Sequence, residues 1–238
     1  MTAGHHDEER ATKKAKWCEE AEQAPATCRP AVVEEVEDGA YDTEPWEDGI
    51  ETPVAALQTG ALGDKSRCVI DTVYCDLDGV LADFDKGFRS ITGKAPESFT
   101  LRDMWSKIVA CEWKEGFFGD LEFMDGGEEL WDSLAHWGPR LKVLTGIPKG
   151  GEEWSTRQKR SWCARKLEGA VRGSGGLEVI CCHSEEKKKW ATPRAVLIDD
   201  RAATNGAEWV AAGGIFVHHV SLAQTMAELR RLGVVHGE

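Results

Sequence analysis

The residues best suited to chemistry lie in the segment YCDLDGVLADF, residues 74–84. Asp76 and Asp78 straddle Leu77 at the end of an apolar run, and Gly79 follows them. In a regular strand, residues two apart face the same side. A carboxylate pair of this kind can hold Mg²⁺ with one member and transfer a proton with the other. A glycine after the pair permits a sharp turn with exposed backbone N–H groups.

Polar residues also close other apolar runs of the sequence. Thr145 and Gly146 end LKVLTG, where a hydroxyl and accessible backbone amides suit a phosphoryl oxygen. Asp199 and Asp200 end AVLIDD. A run of three lysines that begins at Lys187 follows a further apolar run. These residues would meet at one edge of a sheet if the apolar runs were parallel strands, because ligands bind outside the carboxyl ends of such strands.

The apolar runs predict those strands. They are short, rich in β-branched residues and mostly continuous rather than alternating, which is typical of strands buried on both faces. Helical patterns separate the last four runs, so the chain reads as βαβ units forming an α/β, Rossmann-like parallel sheet. The predicted strands are 69–75, 141–145, 177–182, 195–199 and 214–219, and the predicted helices are 151–167, 203–213 and 221–233.

The connection between the first two predicted strands is too long for one crossover helix. It contains two amphipathic patterns that predict helices, at 101–113 and 127–137. We therefore expect a small helical cap, inserted after the first strand at about 84–138. The folded domain as a whole is expected to span 67–238.

The order of these motifs resembles the haloacid dehalogenase (HAD) superfamily over roughly residues 69–220. That family carries DxDG, a threonine closing a strand, a lysine, and DD closing another strand, each at a strand end. Finer features resemble its 5'-nucleotidase and 5'(3')-deoxyribonucleotidase branch. They are DLDGVLADF, VLTGIP, LIDDR and the spacing of Asn205, Trp209, Gly213 and Gly214.

The resemblance implies roles for the motif residues. Asp76 would be the nucleophile that forms an aspartyl-phosphate. Asp78 would protonate the leaving alcohol and then take a proton from water. Thr145, Gly146 and Lys187 would bind the phosphoryl group.

The resemblance also implies Mg²⁺ as the cofactor. Asp76, Asp78 through its backbone carbonyl, and one or both of Asp199 and Asp200 would hold it. Which of the last two is the direct ligand stays open, as does the choice between Lys187 and Lys188.

The expected activity is Mg²⁺-dependent hydrolysis of a small phosphate ester. A (deoxy)nucleoside 5'-monophosphate is the preferred substrate, with Trp105, Trp113 and Phe118 of the insertion as candidate pocket residues beside Phe117. Base stacking or packing of the insertion's own core would each explain these aromatics. Two alternatives stay open: a phosphatase for nucleic-acid ends or sugar phosphates, and a HAD-like scaffold that acts through partner binding.

The composition restricts the possible functions and compartments of the protein. The 238 residues carry a net charge of −13, which argues against nonspecific binding to nucleic acids or anionic membranes. The excess lies mostly in residues 1–67, with 16 acidic and 7 basic side chains, and we interpret residues 1–66 as a disordered acidic tail. No apolar stretch is long enough for a transmembrane helix. Eight cysteines without a CxxC pair favour the cytoplasm or another reducing compartment. A homodimer is left open.

Other conspicuous residues have plainer interpretations. The basic cluster RQKRSWCARK (157–166), with Trp154 and Trp162, reads as the solvated face of an amphipathic helix, with nucleic-acid binding as the alternative. His183, His218 and His219 are expected to be structural or solvent-facing.

Overall fold

The computed structural model describes residues 69–236 apart from 168 and 170–175. Its sheet has five parallel strands in the order β3-β2-β1-β4-β5. This confirms the predicted α/β, Rossmann-like architecture, while the proposed acidic tail lies outside the described residues. The strands are β1 (Thr72–Cys75), β2 (Leu141–Gly146), β3 (Glu178–Cys182), β4 (Ala195–Asp199) and β5 (Ile215–His218).

Six α-helices connect and flank these strands in the described part of the chain. They are α1 (Phe84–Thr92), α2 (Leu101–Val109), α3 (Gly127–Leu134), α4 (Glu152–Lys166), α5 (Ala207–Ala211) and α6 (Leu222–Leu232). Shorter helical turns cover Pro96–Ser98, Ala135–Arg140, Ser184–Trp190 and Ala202–Gly206. The last helix ends as its sequence predicts: Ser221 caps the N-terminus by accepting from the Gln224 N–H, and Gly233 closes it at φ 73°.

The strand order places a crevice beside the first strand. The chain runs from β1 to β2 and β3 on one side and then crosses to β4 and β5 on the other. In open α/β sheets ligands bind at the carboxyl edge where the strand order reverses. Here that point lies between β1 and β4, where Cys75 pairs with Ile198.

Alternation along the strands divides the core into two layers. Val73, Cys75 and Val143 belong to the larger apolar cluster, which also holds Trp162 of α4. Tyr74 and Leu144 point to the smaller one, which holds Trp209 of α5. Burial of both faces explains why the strand sequences are apolar without interruption.

The insertion between β1 and β2 contains more helix than its sequence patterns predict. Helix α1 was not predicted, and it is capped by Asp83, whose side chain accepts from the Lys86 N–H. Helix α3 packs against α6. No helix in the described residues is both long and apolar enough to cross a membrane.

Candidate active site

The site is centred on Asp76, the first residue after β1. Its backbone N–H donates to the carbonyl of Ile198 at 2.9 Å, so the strand pairing continues to this residue. One carboxylate oxygen, Oδ1, accepts from the Leu77 N–H at 2.7 Å. Burial raises the pKa of Asp76 to about 7; Lys187 opposes the rise, and the Asp199 and Asp78 carboxylates add to it. The strand pairing fixes the backbone of Asp76, and the hydrogen bond from the Leu77 N–H orients its carboxylate.

Lys187 lies between two carboxylates. It is 1 % exposed, and its Nζ is 2.8 Å from Asp76 Oδ2 and 2.7 Å from Asp199 Oδ2. Burial alone would lower its pKa, but the two carboxylates outweigh burial and raise it above its usual value. The next residue, Lys188, instead pairs with Glu208 at 3.1 Å, with both side chains nearly half exposed. The geometry therefore distinguishes the two lysines that the sequence pattern leaves as alternatives.

Asp199 and Asp200 differ in their surroundings although they are adjacent. Asp199 accepts from Lys187, from the Arg201 N–H and from the Asn205 amide, which reaches both of its oxygens. Despite burial, these donors, Lys187 foremost, hold its pKa below the usual value. Asp200 has one buried oxygen, Oδ1, without a hydrogen-bond partner among the described residues. Burial, followed by repulsion from the Asp199 and Asp76 carboxylates, raises the pKa of Asp200 to about 8.

This carboxylate cluster has the donor set of a hard divalent cation. Asp76, Asp199 and Asp200 each offer an oxygen, and these atoms lie within 4.8 Å of one another. Oxygen ligands of this kind suit Mg²⁺. Three carboxylates share the single ammonium of Lys187, and one Asp200 oxygen has no hydrogen-bond partner among the described residues, so the cluster keeps excess negative charge and the residues fit the metal. Gly79 is required nearby, since a Cβ there would lie 2.5 Å from Asp200 Oδ2.

The second aspartate of the pair contacts a residue that the sequence analysis missed. Lys159 of α4 places its Nζ 2.5 Å from Asp78 Oδ2, 3.0 Å from Thr145 Oγ1 and 2.6 Å from the carbonyl oxygen of Gly146. Lys159 is 1 % exposed, and Thr145 is fully buried. The predicted phosphate-binding hydroxyl is thus hydrogen-bonded to a lysine. Gly146 lines the adjoining cavity, where a Cβ would lie 2.6 Å from Ser184 Oγ.

Burial of Lys159 overturns the interpretation of 157–166 as a solvated face at this position. Ser155, Lys159, Trp162 and Cys163 form the buried stripe of α4, and their i, i+4, i+7, i+8 spacing is the helical period. Trp162 is also core rather than a nucleic-acid contact, since its Nε1–H donates to the carbonyl of Leu121 at 2.7 Å. The signal that could have revealed Lys159 is its place on the same face as Trp162, where a cation needs a partner.

A cavity of about 210 Å³ opens over the carboxyl ends of the strands. One part of its wall is charged and includes Asp76, Asp78, Lys187, Asp200 and Arg201. The other part is apolar and is contributed largely by the insertion. The apolar residues are Phe84, Leu101, Met104, Trp105, Phe118, Ile147 and Pro148.

The three candidate pocket aromatics do not share one position. Trp105 and Phe118 line the cavity, with ring centroids 6.4 Å apart. Trp113 stacks on Phe117 at 5.7 Å, and Phe117 is 1 % exposed. The Phe118 ring also lies 4.5 Å from Lys159 Nζ, in cation–π geometry. Trp105 therefore lies in the cavity wall and Trp113 and Phe117 belong to the packed core. Phe118, also 1 % exposed and in contact with Phe117, joins the two.

The three histidines differ in their relation to the cavity. His219 is buried and its Nδ1 lies 2.9 Å from Thr225 Oγ1. His218 Nε2 lies 3.0 Å from the carbonyl oxygen of Asp200. His183 lines the cavity. The contacts of His219 and His218 agree with the predicted structural roles.

Comparison with known proteins adds the following. The sequence matches no family model, and it matches no curated protein. Solved structures do match. A HAD family hydrolase from Deinococcus radiodurans R1, with bound phosphate and sodium, is 15% identical with a TM-score of 0.43, and the match covers 72% of this chain and 100% of that one.

Two further matches carry similar descriptions. A HAD-superfamily hydrolase of subfamily IA from Geobacter sulfurreducens PCA is 20% identical with a TM-score of 0.40, covering 63% of this chain and 89% of that one. A haloacid dehalogenase-like hydrolase from Streptococcus pneumoniae is 13% identical with a TM-score of 0.40, covering 67% and 98%. Because these TM-scores are below 0.5, function has to follow from the side chains of the site.

Proposed function

We propose that the protein is a metal-dependent phosphomonoesterase of the HAD type, with Asp76 as its nucleophile. The observation that carries this proposal is the grouping of Asp76, Lys187, Asp199 and Asp200 at the switch point of the sheet, beneath a cavity. One buried lysine facing two carboxylates, with a third carboxylate beside them, suits a phosphoryl group whose charge must be balanced.

Two half-reactions follow from the side chains. In the first, a carboxylate oxygen of Asp76 attacks phosphorus and the bond from phosphorus to the ester oxygen breaks. Asp78 gives its proton to that oxygen, and the alcohol leaves. In the second, water attacks the phosphorus of the aspartyl-phosphate while Asp78 takes its proton, which releases inorganic phosphate and restores both carboxyl groups. Lys187 holds the phosphoryl oxygens and balances the charge that develops on them.

The metal belongs with Asp76 and Asp200. Asp199 is already hydrogen-bonded at both oxygens by Lys187, Arg201 and Asn205, whereas one Asp200 oxygen has no partner in the part of the chain that the structure describes. We therefore assign Asp200 as the direct ligand and Asp199 as the residue that orients Lys187. When bound, the divalent cation would reduce repulsion between the carboxylates and the phosphate.

The proposed substrate is a small phosphate ester with a flat apolar group, and a nucleoside 5'-monophosphate fits this description. The charged part of the cavity suits the phosphate, and the aromatic wall of Phe84, Trp105 and Phe118 suits a base. The cavity measures about 210 Å³ and its apolar wall comes largely from the insertion, which favours a small ester over a polymer end. Small-molecule sites commonly combine an apolar lining with a few placed polar groups.

The test is phosphate release from nucleoside monophosphates, sugar phosphates, a 5'-phosphorylated oligonucleotide and an aryl phosphate, with Mg²⁺ and with EDTA. We expect phosphate release from nucleotides, and we expect both EDTA and Asp76→Asn to abolish it. Asp71→Asn is the matched control, because Asp71 lies before the same strand but is exposed and pairs with Arg194. It should keep full activity.

The panel also separates the alternatives. Preferred release from sugar phosphates or the oligonucleotide would replace the nucleotide assignment while keeping the enzyme class. Absence of release from every compound by folded, Mg²⁺-bound protein would overturn the phosphatase proposal and favour a scaffold that acts through a partner.

A further inference from the structure

Lys159 joins the proton-transfer residue of the site to the two predicted phosphate-binding residues that end β2. Its ammonium has three N–H donors, and three oxygens accept from them: Asp78 Oδ2, Thr145 Oγ1 and the carbonyl of Gly146. The lysine is 1 % exposed and comes from α4, an element that carries none of the predicted motifs. A buried cation with all donors used has little freedom to move.

The contact distinguishes the two oxygens of Asp78. Oδ2 accepts from the ammonium, whereas Oδ1 is buried without a hydrogen-bond partner among the described residues. Asp78 also lines the cavity. The ammonium therefore fixes the orientation of the Asp78 carboxyl group at the cavity wall.

Lys159 also joins the core to the insertion. The Phe118 ring lies 4.5 Å from Nζ and forms part of the cavity wall. The Phe118 backbone N–H donates to Gln158 Oε1 at 3.0 Å, one residue before the lysine. The same turn of α4 thus contacts the aromatic wall and the carboxyl group of Asp78.

We propose that Lys159 is a positioning residue for Asp78, which holds the carboxyl group in place for proton exchange with the leaving-group oxygen. This inference rests on the proposed phosphatase function. It predicts that loss of Lys159 impairs leaving groups that need a proton and spares those that do not. Misplacing a reacting group by about 1 Å can cost about 100-fold in rate.

The experiment measures kcat/KM for a series of aryl phosphates of graded leaving-group acidity and for an alkyl phosphate, at saturating Mg²⁺. This constant reports the steps up to formation of the aspartyl-phosphate. For Lys159→Met we expect a loss of about 100-fold with the alkyl ester and under about 3-fold with p-nitrophenyl phosphate, whose phenolate leaves unprotonated. Arg160→Met is the matched control, because Arg160 is exposed on the same helix, and it should change neither.

A second arm tests the coupling to Asp78. In an Asp78→Asn background, Lys159→Met should change the alkyl rate by under about 3-fold, because the group it positions is gone. Equal losses on all esters in the single variant, or an undiminished loss in the double variant, would overturn the inference. Thermal melts identify unfolded variants; if Lys159→Met is unfolded, Lys159→Gln, uncharged but polar, is measured by the same criteria. Absence of wild-type hydrolysis of every ester would instead overturn the proposed function itself.

Discussion

The charged edge of the sheet and the aromatic wall of the insertion face the same cavity but are held in place differently. The charged edge comprises Asp76, Lys187, Asp199 and Asp200, and strand ends or buried ion pairs fix each of its carboxylates. The aromatic wall comprises Phe84, Trp105 and Phe118, which lie outside the sheet. They are placed by ring packing and, at Phe118, by the contacts with Gln158 and Lys159.

This difference assigns separate duties to the two regions. Positions fixed by strand pairing suit bond-making, where small displacements are costly. Positions fixed by ring packing can change shape or identity without disturbing the sheet, and they suit substrate selection. Disruption of the charged edge should therefore affect catalysis and stability together, whereas disruption of the aromatic wall should affect substrate affinity.

The largest expected effect comes from Lys187→Met. It leaves Asp76 and Asp199 facing each other without a cation, and breaking a buried ion pair costs about 3–5 kcal/mol. Urea unfolding in EDTA should show this loss, and phosphate release should fall below detection. Lys188→Met is the matched control, because its exposed pair with Glu208 contributes at most about 1 kcal/mol. Similar losses for the two variants would contradict the assignment of the charged edge.

Asp199→Asn and Asp200→Asn should shift the melting temperature of the metal-free protein in opposite directions. Asp200→Asn removes a buried carboxylate that is repelled by its neighbours, so the metal-free protein should melt at a higher temperature while Mg²⁺ no longer raises the melting temperature. Asp199→Asn disrupts the contacts with Lys187 and Asn205, so the metal-free protein should melt at a lower temperature. Differential scanning fluorimetry with and without Mg²⁺ measures both. Loss of the metal response in Asp199→Asn alone would reverse the ligand assignment.

Substitution in the aromatic wall should change substrate affinity, whereas substitution among the packed aromatics should change stability. Trp105→Ala should raise KM for nucleotides by about 10-fold, within the about 1–3 kcal/mol that base stacking contributes, and leave kcat nearly unchanged. Trp113→Ala removes the stack on Phe117 and should lower the melting temperature without altering KM. Steady-state kinetics and thermal melts on both variants decide this, and an unchanged KM in Trp105→Ala would remove it from substrate binding.

The smallest expected effect concerns pH. In the metal-free protein the pKa values of Asp76 and Asp200 are raised from 3.8 to about 7 and about 8. The folded state thus holds these protons more tightly than the unfolded state, so stability falls as pH rises from about 4 to about 8. Mg²⁺ competes with the same protons, so its effect on the melting temperature should be larger at pH 8 than at pH 6. An equal or smaller effect at pH 8 would show that the metal does not replace those protons.

The strand ends could be predicted from the sequence because short apolar runs and the polar residues that close them are local features. The parallel sheet is confirmed, and the structure brings Asp76, Asp78, Lys187 and Asp200 to one cavity, with Asp199 buried against Lys187. Which of Asp199 and Asp200 is the direct metal ligand could not be predicted from the local sequence. It depends on Asn205 and Lys187, which approach Asp199 from two other segments.

Lys159 and helix α1 show where local patterns fail. The charges around Lys159 suggest a solvated helix face, but Trp162 and Cys163 turn the same face inward, and Asp78 lies 81 positions away in the sequence. Helix α1 is short, and its two phenylalanines, Phe84 and Phe88, pack on Phe117 and Phe99 outside the helix. Both positions depend on partners that only the folded chain supplies.

The central claim is that Asp76 carries the phosphoryl group during turnover. The most direct measurement is mass spectrometry of the protein after acid quenching during hydrolysis of its preferred ester. A single phosphoryl group located on Asp76 by fragmentation, present in wild type and absent in Asp76→Asn, is the predicted result. Turnover with an unmodified Asp76, or with the phosphoryl group on another side chain, would contradict the account.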